Sequence, residues 1–389
     1  MRLVLAILGC LCISLIGKGQ EVNIGLFNQQ KTTQILVGIG EGLVAIMVDS
    51  TELQVVKPGD AITLSHAAEG LQLRVGSEIK GVYQRLQLKP VTDNSFVKLL
   101  CQQPARSELW YNGKISFIHG LDRIRIINTV DLEAYIAGVV EAETGSEQVQ
   151  EFYKVQACIT RTFALANLQK HALEGFNLCD QVHCQVYKGR PHNNPSIIKA
   201  VAESAGLILV DRNLQLIDAV FHANCGGVTH NSEDYWVDTI PYLRSVTDSF
   251  CSEGRQFKWR LSLDKEQWLR YLYGNFKFPI DQSDFLYQAC NLNEPKRTKY
   301  LFDPTYKIAV RRIRSDWNLR STFFSIREES GVLYLEGRGF GHGVGLCQEG
   351  AMKMARLAYS FSDILHHYFT DVFVIPKNQL FLLKDYARP

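Results

Sequence analysis

The chain has 389 residues, of which 46% are hydrophobic and 21% are charged, a composition typical of an ordered globular protein and unlike that of a disordered or fibrous chain. At about 150 residues per domain, this length predicts two or three domains. The 42 Lys and Arg residues nearly balance the 40 Asp and Glu residues, which argues against a nucleic-acid partner held by a broad positive field.

The first residues, 1–19, have the pattern of a secretory signal peptide. A basic start at Arg2 precedes a nearly continuous apolar stretch from Leu3 to Ile16, and small residues follow, so we expect cleavage after Gly19. This apolar stretch is shorter than the ~20 residues of a transmembrane helix. A lipoprotein acylated on Cys10 is an alternative, although it would require a longer apolar stretch before the cysteine. We therefore expect an exported protein, located in the periplasm, in the cell envelope or outside the cell.

Residues 20–114 show short alternating segments separated by turns such as Pro58-Gly59-Asp60. Strands are expected over 22–26, 43–48, 71–75, 96–100 and, just beyond, 115–118. This pattern predicts a β-rich accessory region, and it fits a binding module as well as a packing domain.

The pattern changes to helical spacing after Asn128. Asp131 is expected to cap a short helix through Tyr135. A central amphipathic helix is predicted over 146–170, because apolar residues recur there at helical spacing. These residues are Phe152, Val155, Ile159, Phe163 and Ala166.

The remaining chain, to residue 377, mixes both patterns, so the predicted fold class is α+β. We expect strands over 306–313 and 322–326, a glycine-rich turn over 337–345, and helices over 348–358 and 362–368. A more polar stretch, 252–305, is expected to form an insertion or lid, and 378–389 a C-terminal tail.

A cluster of metal-ligand residue types follows the central helix. His171, Cys179, His183 and Cys184 place two imidazoles and two thiols within fourteen residues, the ligand types of a closed, structural zinc site. The alternative is a disulfide between Cys179 and Cys184, which suits an exported protein. Both interpretations remain open at this point.

Two further segments contain candidate functional residues. A disulfide between Cys225 and Cys251 is expected to close the loop that contains Gly226 and Gly227. His342 lies in the glycine-rich turn, where it would serve as a substrate contact or as part of a structural turn. Cys101, Cys158, Cys290 and Cys347 have no evident assignment.

The carboxylates Glu141 and Glu143 directly precede the predicted central helix, where acidic residues are usually caps or partners of the helix dipole. The sequence contains no Gly-x-Ser-x-Gly elbow, no His-Glu-x-x-His helix and no phosphate loop, which removes the commonest hydrolase templates.

Several of these segments, in this order, resemble the SpoIID/LytB family, whose members include lytic transglycosylases of bacterial peptidoglycan. The similar blocks are 130–143, 154–164, 184–187, 225–229, 241–243, 319–324 and 337–348. The resemblance covers roughly 115–369 and identifies 115–377 as a SpoIID-like catalytic region. Thr144 stands where a Met is common, and Leu346-Cys347 replaces the usual Met-Ser.

The resemblance implies that Glu143 is the catalytic acid/base and that the 179–184 loop binds zinc, as in some members. Arg161 would orient Glu143 or bind sugar and lactyl groups. The substrate-binding residues expected in these blocks are Arg161, Gln185, Tyr187, Tyr242, His342 and Gln348.

The activity that the resemblance implies is cleavage of the β-1,4 bond between MurNAc and GlcNAc with formation of 1,6-anhydroMurNAc, in sporulation, division or wall turnover. This reaction needs one carboxylate, since the MurNAc C6 hydroxyl is an intramolecular nucleophile. One alternative is a hydrolytic muramidase that uses Glu141 or Asp234 as a second carboxylate. Another is a non-catalytic, LytB-like protein that binds glycan strands and stimulates a cell-wall amidase.

Overall fold

The computed structural model describes residues 19–192, 194–293, 296–302 and 304–380. The predicted signal peptide, apart from Gly19, and most of the predicted C-terminal tail therefore lie outside the described residues. Twelve consecutive strands precede the first helix, and helices and strands are mixed in the rest of the described chain, which confirms the α+β class. The strands are β1 Glu21–Leu26, β2 Gln34–Glu41, β3 Val44–Val48, β4 Thr51–Val56, β5 Ala61–Ala67, β6 Gly70–Val75, β7 Glu78–Tyr83, β8 Arg85–Pro90, β9 Phe96–Gln103, β10 Leu109–Asn112, β11 Lys114–His119, β12 Ile124–Asp131, β13 Leu178–Cys179, β14 Leu207–Val210, β15 Phe221–His222, β16 Lys258–Asp264, β17 Phe324–Glu329, β18 Val332–Arg338, β19 Leu346–Cys347 and β20 Phe373–Pro376. The α-helices are α1 Leu132–Thr144, α2 Gln150–Ala166, α3 Pro195–Glu203, α4 Ser232–Tyr235, α5 Lys265–Phe276, α6 Ser283–Cys290, α7 Val310–Asp316, α8 Gln348–Arg356 and α9 Phe361–Tyr368.

The N-terminal region is β-rich, as predicted, and forms two sheets. One has the strand order β13-β1-β12-β11-β8-β3-β4 and the other the order β10-β9-β2-β5-β6-β7. In β2 the buried residues Ile35, Val37 and Ile39 alternate with more exposed ones, so one face of the strand packs on the core. Strand β11 pairs with both β8 and β12. The first sheet therefore continues across the predicted boundary at residue 114.

Helix α1 follows β12 directly. The Asp131 side chain accepts hydrogen bonds from the amides of Glu133 and Ala134, so the predicted cap is confirmed. The predicted end at Tyr135 is wrong, because the helix continues to Thr144. Its buried residues Ile136, Val139 and Val140 pack on the sheet, and this tertiary burial outweighs the low helix propensity of β-branched residues.

Helix α2 lies at the predicted central position but is shorter, from Gln150 to Ala166 rather than over 146–170. Tyr153 and Ala157 belong to the core beneath the N-terminal sheets. Phe152 and Val155 belong to a second core formed with α8, α9 and β14. Because α2 packs on both sides, most of its surface is buried.

The part of the chain that follows this second core has a core of its own. Strands β16, β18 and β17 form an antiparallel sheet, and α5, α6 and α7 pack on it around Trp268, Ile313 and Leu335. The strand predicted over 306–313 is wrong: Val310 and Ile313, three residues apart, are both buried on one face of α7. The core of this region extends well beyond the predicted 252–305 insertion.

The helices predicted near the C-terminus are confirmed as α8 and α9. Over the ranges that the structure describes, none of the helices combines the length and the apolar character needed to cross a membrane.

Candidate functional site

The candidate catalytic carboxylate, Glu143, lies in the last turn of α1 and not in a loop before a helix as predicted. Its carboxylate accepts one hydrogen bond, from the Val186 amide at 3.2 Å. The side chain is half-buried, and burial raises its pKa, an effect that the Val186 amide and the Lys188 ammonium group partly oppose. The C-terminal end of a helix also disfavours a negative charge. Glu143 can therefore hold a proton more readily than an exposed glutamate.

The loop that contacts Glu143 lies against α1 at a glycine. A Cβ atom on Gly138 would lie only 2.0 Å from the carbonyl oxygen of Gly189, so a larger residue at position 138 would push the two segments apart. This close approach brings the Val186 amide within reach of the Glu143 carboxylate. A glycine inside a helix costs about 1 kcal/mol relative to alanine, and here it permits a contact at the site.

The two carboxylates proposed as water activators lie elsewhere. Glu141 accepts a hydrogen bond from the His192 amide at 2.8 Å and, two positions from Glu143 on one helix, faces away from it. Asp234 binds the side chain of Asn231. Neither carboxylate makes a contact with Glu143 in the described parts of the chain.

The structure does not place Arg161 where it could orient Glu143 or bind sugar and lactyl groups. Its side chain is 0% exposed and its guanidinium group binds the Glu133 carboxylate, with Nε 2.9 Å from Oε1 and Nη2 2.5 Å from Oε2. Its Nη1 donates to the carbonyl oxygen of Leu207 at 2.9 Å. Arg161 therefore joins α1, α2 and β14 inside the protein, and it neither contacts Glu143 nor reaches a surface where substrate could bind.

The four predicted metal ligands converge at the edge of the first sheet. The ligand atoms of His171, Cys179, His183 and Cys184 all lie within 4.8 Å of one another, and both cysteines are free thiols. The group could therefore hold a metal ion, and the alternative Cys179–Cys184 disulfide is not formed.

The neighbours of these four residues suit metal binding. Nδ1 of His171 hydrogen-bonds to the Glu174 carboxylate, and Nε2 hydrogen-bonds to the Cys184 sulfur at 3.4 Å. Carboxylates commonly orient metal-binding histidines in this way. The hydrogen bond from the Cys184 thiol lowers the pKa of Cys179, which favours binding of one sulfur as a thiolate.

The metal-ligand cluster and Glu143 share one loop. Cys184 and Val186 are two residues apart, so an ion bound by Cys179, His183 and Cys184 would fix the backbone that donates to Glu143. A cavity of about 440 Å³ lies along the same loop and is lined in part by Asp180, Val186 and Lys188. The loop therefore connects the cluster, an open cavity and the carboxylate.

Comparison with known proteins places the chain among its relatives. The SpoIID family profile, described as stage II sporulation protein, matches residues 121–210. A stage II sporulation protein D from Bacillus amyloliquefaciens is 30% identical over 63% of this chain and 74% of the relative. The chain belongs to the SpoIID family.

Other relatives of this SpoIID family member extend the comparison. The stage II sporulation protein D of Bacillus subtilis is 28% identical over 62% of this chain and 74% of its own length. An uncharacterized protein of Brachyspira hyodysenteriae is 28% identical over 69% of this chain and 73% of its own length. An amidase enhancer of Bacillus subtilis is 23% identical over 60% of this chain, but that match covers only 39% of the enhancer.

Two predicted substrate-binding residues of the SpoIID blocks are buried under the loop. The hydroxyl of Tyr187 donates to Oδ1 of Asn128 at 3.0 Å, and Tyr187 is also one of the residues that line the cavity. Gln185 pairs through Oε1 with the hydroxyl of Tyr135 at 3.3 Å, and its Nε2 has no hydrogen-bond partner in the described chain. Gln185 thus supports the loop from within, whereas Tyr187 also borders the cavity, so its role as a substrate contact stays a prediction.

The other three predicted substrate-binding residues lie in the second core. Both ring nitrogens of His342 are engaged: Nδ1 accepts from the Val344 amide and Nε2 donates to the Phe221 carbonyl. The pKa of His342 is lowered to about 4, chiefly by burial, so the ring is neutral and structural, which corrects the predicted substrate contact. The hydroxyl of Tyr242 accepts from the Asp218 amide at 2.9 Å.

Gln348 is buried, and its Nε2 lies 3.5 Å from Oε1 of Gln156 on α2. In the ranges that the structure describes, no hydrogen bond or ring contact joins Tyr242, His342 or Gln348 to Glu143. The structure thus does not bring these three residues to the carboxylate.

The disulfide predicted between Cys225 and Cys251 is also corrected. Their sulfur atoms lie 3.5 Å apart and both residues are free cysteines, whereas a disulfide bond is about 2.04 Å long.

Sequence reasoning missed Lys188, Gly138 and Asp180. The pKa of the Asp180 carboxyl is raised, chiefly by burial, and its Oδ2 accepts a hydrogen bond from the Phe27 amide at 2.9 Å. The signal for Gly138 was present, since a glycine within an apolar helical segment often marks a close backbone approach. Lys188 and Asp180 carry no such local signal, because their position depends on how the loop folds back on α1.

Proposed function

We propose that this protein is an exported lytic transglycosylase that acts on peptidoglycan, with Glu143 as its single acid/base. Membership in the SpoIID family and the similarity to an amidase enhancer support a role related to the cell wall. The observation that carries the enzymatic part is the half-buried Glu143 carboxylate, whose pKa is raised by burial and whose hydrogen bond comes from a backbone amide. A general acid for glycoside cleavage needs such an environment.

In the first step, protonated Glu143 donates its proton to the glycosidic oxygen that links MurNAc C1 to GlcNAc C4. The C1–O bond breaks, the GlcNAc end leaves with a free 4-hydroxyl, and positive charge develops at C1 and the ring oxygen of MurNAc. Glu143 is now a carboxylate. The nearby Lys188 ammonium group favours this charged form.

In the second step, the C6 hydroxyl of the same MurNAc attacks C1 while the Glu143 carboxylate takes its proton. The new C6–O–C1 bond gives 1,6-anhydroMurNAc, and Glu143 returns to its protonated state. Because the nucleophile is intramolecular, its effective molarity is high and no second carboxylate is needed to activate water. This fits a site where Glu141 and Asp234 do not contact Glu143.

The proposal includes zinc, held by His171, Cys179, His183 and Cys184. Two imidazole and two thiolate ligands leave no open coordination position, so bound zinc would supply folding free energy at this loop and no catalytic group. The 179–184 loop that carries two of these cysteines leads directly to Val186, whose amide donates to Glu143. We expect Cys179→Ser to lose one equivalent of zinc, measured by elemental mass spectrometry.

Product analysis tests the reaction. Purified protein is incubated with peptidoglycan, with and without stem peptides, and the fragments are identified by mass spectrometry. We expect anhydro-ended fragments from the wild type and from Glu141→Gln, which preserves the hydrogen-bond acceptor for His192, and none from Glu143→Gln. Reducing ends would indicate a hydrolytic muramidase and contradict the proposal, as would an absence of fragments.

The similarity to an amidase enhancer favours one alternative, a protein that binds glycan strands and stimulates a cell-wall amidase without cleaving them. In that case the rate of amidase release of stem peptides would rise equally with the wild type and with Glu143→Gln. A stimulation that requires intact Glu143 would favour the transglycosylase.

Export is part of the proposal and has a direct test. We expect the N-terminal residue of the mature protein, recovered from the cell envelope or medium, to be Gln20. A chain that keeps Met1 in the cytoplasm would contradict export.

A further inference from the structure

A second group of ligand side chains lies in the core beneath α8 and α9. Cys225 comes from the loop after β15, Asp248 and Cys251 come from the segment around the 3-10 turn Phe250–Glu253, and Cys347 ends β19. Their ligand atoms all lie within 4.8 Å of one another, and each of the four residues is 0% exposed. Three distant segments of the chain thus place three thiols and a carboxylate around one point.

The spacing of these atoms suits a shared metal ion better than a disulfide. The Cys225 sulfur lies 3.5 Å from the Cys251 sulfur and 3.2 Å from Oδ2 of Asp248. Zinc–sulfur bonds of about 2.3 Å in a tetrahedral site place two sulfurs about 3.8 Å apart, close to the observed separation. A disulfide would use two of the thiols and leave the third thiol and the buried carboxylate without a shared partner.

The surrounding groups orient the four side chains. The Asp248 carboxylate accepts hydrogen bonds from the Tyr368 hydroxyl and the Phe250 amide, both at 3.0 Å. The Cys225 amide donates to the Cys347 sulfur at 3.3 Å. Partners that orient ligands and bond to sulfur are characteristic of metal–thiolate sites.

A cation lies beside the cluster. The Arg297 guanidinium group donates to the backbone carbonyls of Cys225 and Val228, and within the described ranges no carboxylate forms an ion pair with it. Three thiolates, one carboxylate and a divalent ion together carry a net charge of about −2. The guanidinium group would partly balance that charge.

We propose that Cys225, Asp248, Cys251 and Cys347 bind a second zinc ion. Thiolates select zinc over magnesium or calcium, which prefer oxygen ligands. Four buried protein ligands leave no position for water or substrate, so the ion is structural. It joins segments that are 122 residues apart in the chain, from Cys225 to Cys347, and holds the second core together independently of Glu143.

Zinc counting on the full-length chain tests the site. We expect two zinc ions per wild-type molecule by elemental mass spectrometry, two in the control Cys101→Ser, whose buried thiol lies outside both clusters, and one in Cys347→Ser or Asp248→Asn. A zinc content in Cys347→Ser and Asp248→Asn equal to that of the wild type would overturn the proposal. Peptide mapping without reducing agent provides a second criterion, because a Cys225–Cys251 disulfide would also overturn it.

A second measurement leaves the proposed site intact, so it tests the proposal even if Cys347→Ser and Asp248→Asn fail to fold. In Cys179→Ser/Cys184→Ser, the first cluster loses both thiols while the second is unchanged. We expect the zinc that remains to show three sulfur neighbours at about 2.3 Å and one oxygen neighbour by X-ray absorption. The absence of zinc from this variant, or zinc bound mainly by nitrogen and oxygen, would contradict the second site.

Discussion

The two ends of α1 each present a glutamate, and the two carboxylates have different surroundings. Glu133, in the first turn, makes a bidentate ion pair with the buried Arg161 and also accepts from the Gly206 amide. Glu143, in the last turn, has one backbone hydrogen bond and a nearby lysine. The Glu133 carboxylate is held by an ion pair and a backbone hydrogen bond, whereas the Glu143 carboxylate has no ion pair in the described chain.

This difference shows why a match to a family motif does not by itself assign the role of a glutamate. The positive end of the helix dipole stabilises Glu133 as an anion, and the negative end disfavours the charge on Glu143. If Arg161 lay beside Glu143, it would oppose the rise in the pKa of that carboxyl. By pairing with Glu133 it leaves Glu143 with a raised pKa, which acid catalysis requires.

The largest effect is expected from Glu143→Gln. The amide can still accept from Val186 but cannot donate a proton to the leaving oxygen, so we expect the rate of anhydro-fragment release to fall by about 10²–10⁴-fold. The measurement is the initial rate on purified peptidoglycan, with Glu141→Gln as the matched control. A loss below about tenfold would exclude Glu143 as the general acid.

Glu133→Gln is expected to lower stability and to retain activity, in contrast to Glu143→Gln. It leaves the Arg161 guanidinium, which is 0% exposed, without its charged partner. Breaking a buried ion pair costs about 3–5 kcal/mol, and because the Glu133 side chain is 29% exposed we expect the lower end of this range. Urea unfolding measures the loss of stability. Activity per folded molecule should be retained, and an activity loss as large as that of Glu143→Gln would erase the distinction between the two carboxylates.

Gly138→Ala tests the contact between the loop and Glu143. The new Cβ would overlap the Gly189 carbonyl oxygen, and overpacking of this kind costs about 1–3 kcal/mol, more than the roughly 1 kcal/mol that alanine gains in a helix. We expect lower stability and lower activity. The control is Gly274→Ala in α5, where a Cβ meets nothing within 4 Å; it should be neutral or stabilising. Equal behaviour of the two variants would show that the loop is not held by this contact.

Local patterns in the sequence predicted the features that depend on neighbouring residues. The Asp131 cap, the alternation of the N-terminal strands and the His171–Cys184 cluster each follow from residues close together in the chain. The length of α1 did not follow, because Ile136, Val139 and Val140 form helix only through their burial against the sheet.

Residue roles that depend on distant partners could not be predicted. Arg161 was expected to orient Glu143 or to bind sugar and lactyl groups, whereas the structure pairs it with Glu133, 28 residues away. His342 resembled a ligand contact until the Phe221 carbonyl, 121 residues away, was found to occupy its second nitrogen. The second cysteine cluster is likewise assembled only by the fold.

A smaller effect is expected on stability as pH changes. The folded-state pKa of Glu143 is raised by burial, so wild-type stability falls as pH rises from the unfolded value of about 4.3 through the folded value. Glutamine does not titrate and avoids burying a charge. We expect the Tm of Glu143→Gln to exceed that of the wild type near pH 7, and the difference to shrink toward pH 4. A difference that is constant with pH would mean that burial does not perturb Glu143.

The smallest effect is expected from Lys188→Gln. The Lys188 ammonium group lowers the pKa of Glu143 and so opposes the effect of burial. Because the general acid must be protonated, the alkaline limb of the pH–rate profile reports the pKa of Glu143. Removing the lysine charge should move that limb to higher pH, while the exposed control Lys199→Gln on α3 should leave it in place. The shift should also shrink as salt is added, since a charge on an exposed side chain is screened. If the limb moved equally in both variants, the shift would reflect net charge alone. Lys188 would then have no specific effect on the pKa of Glu143.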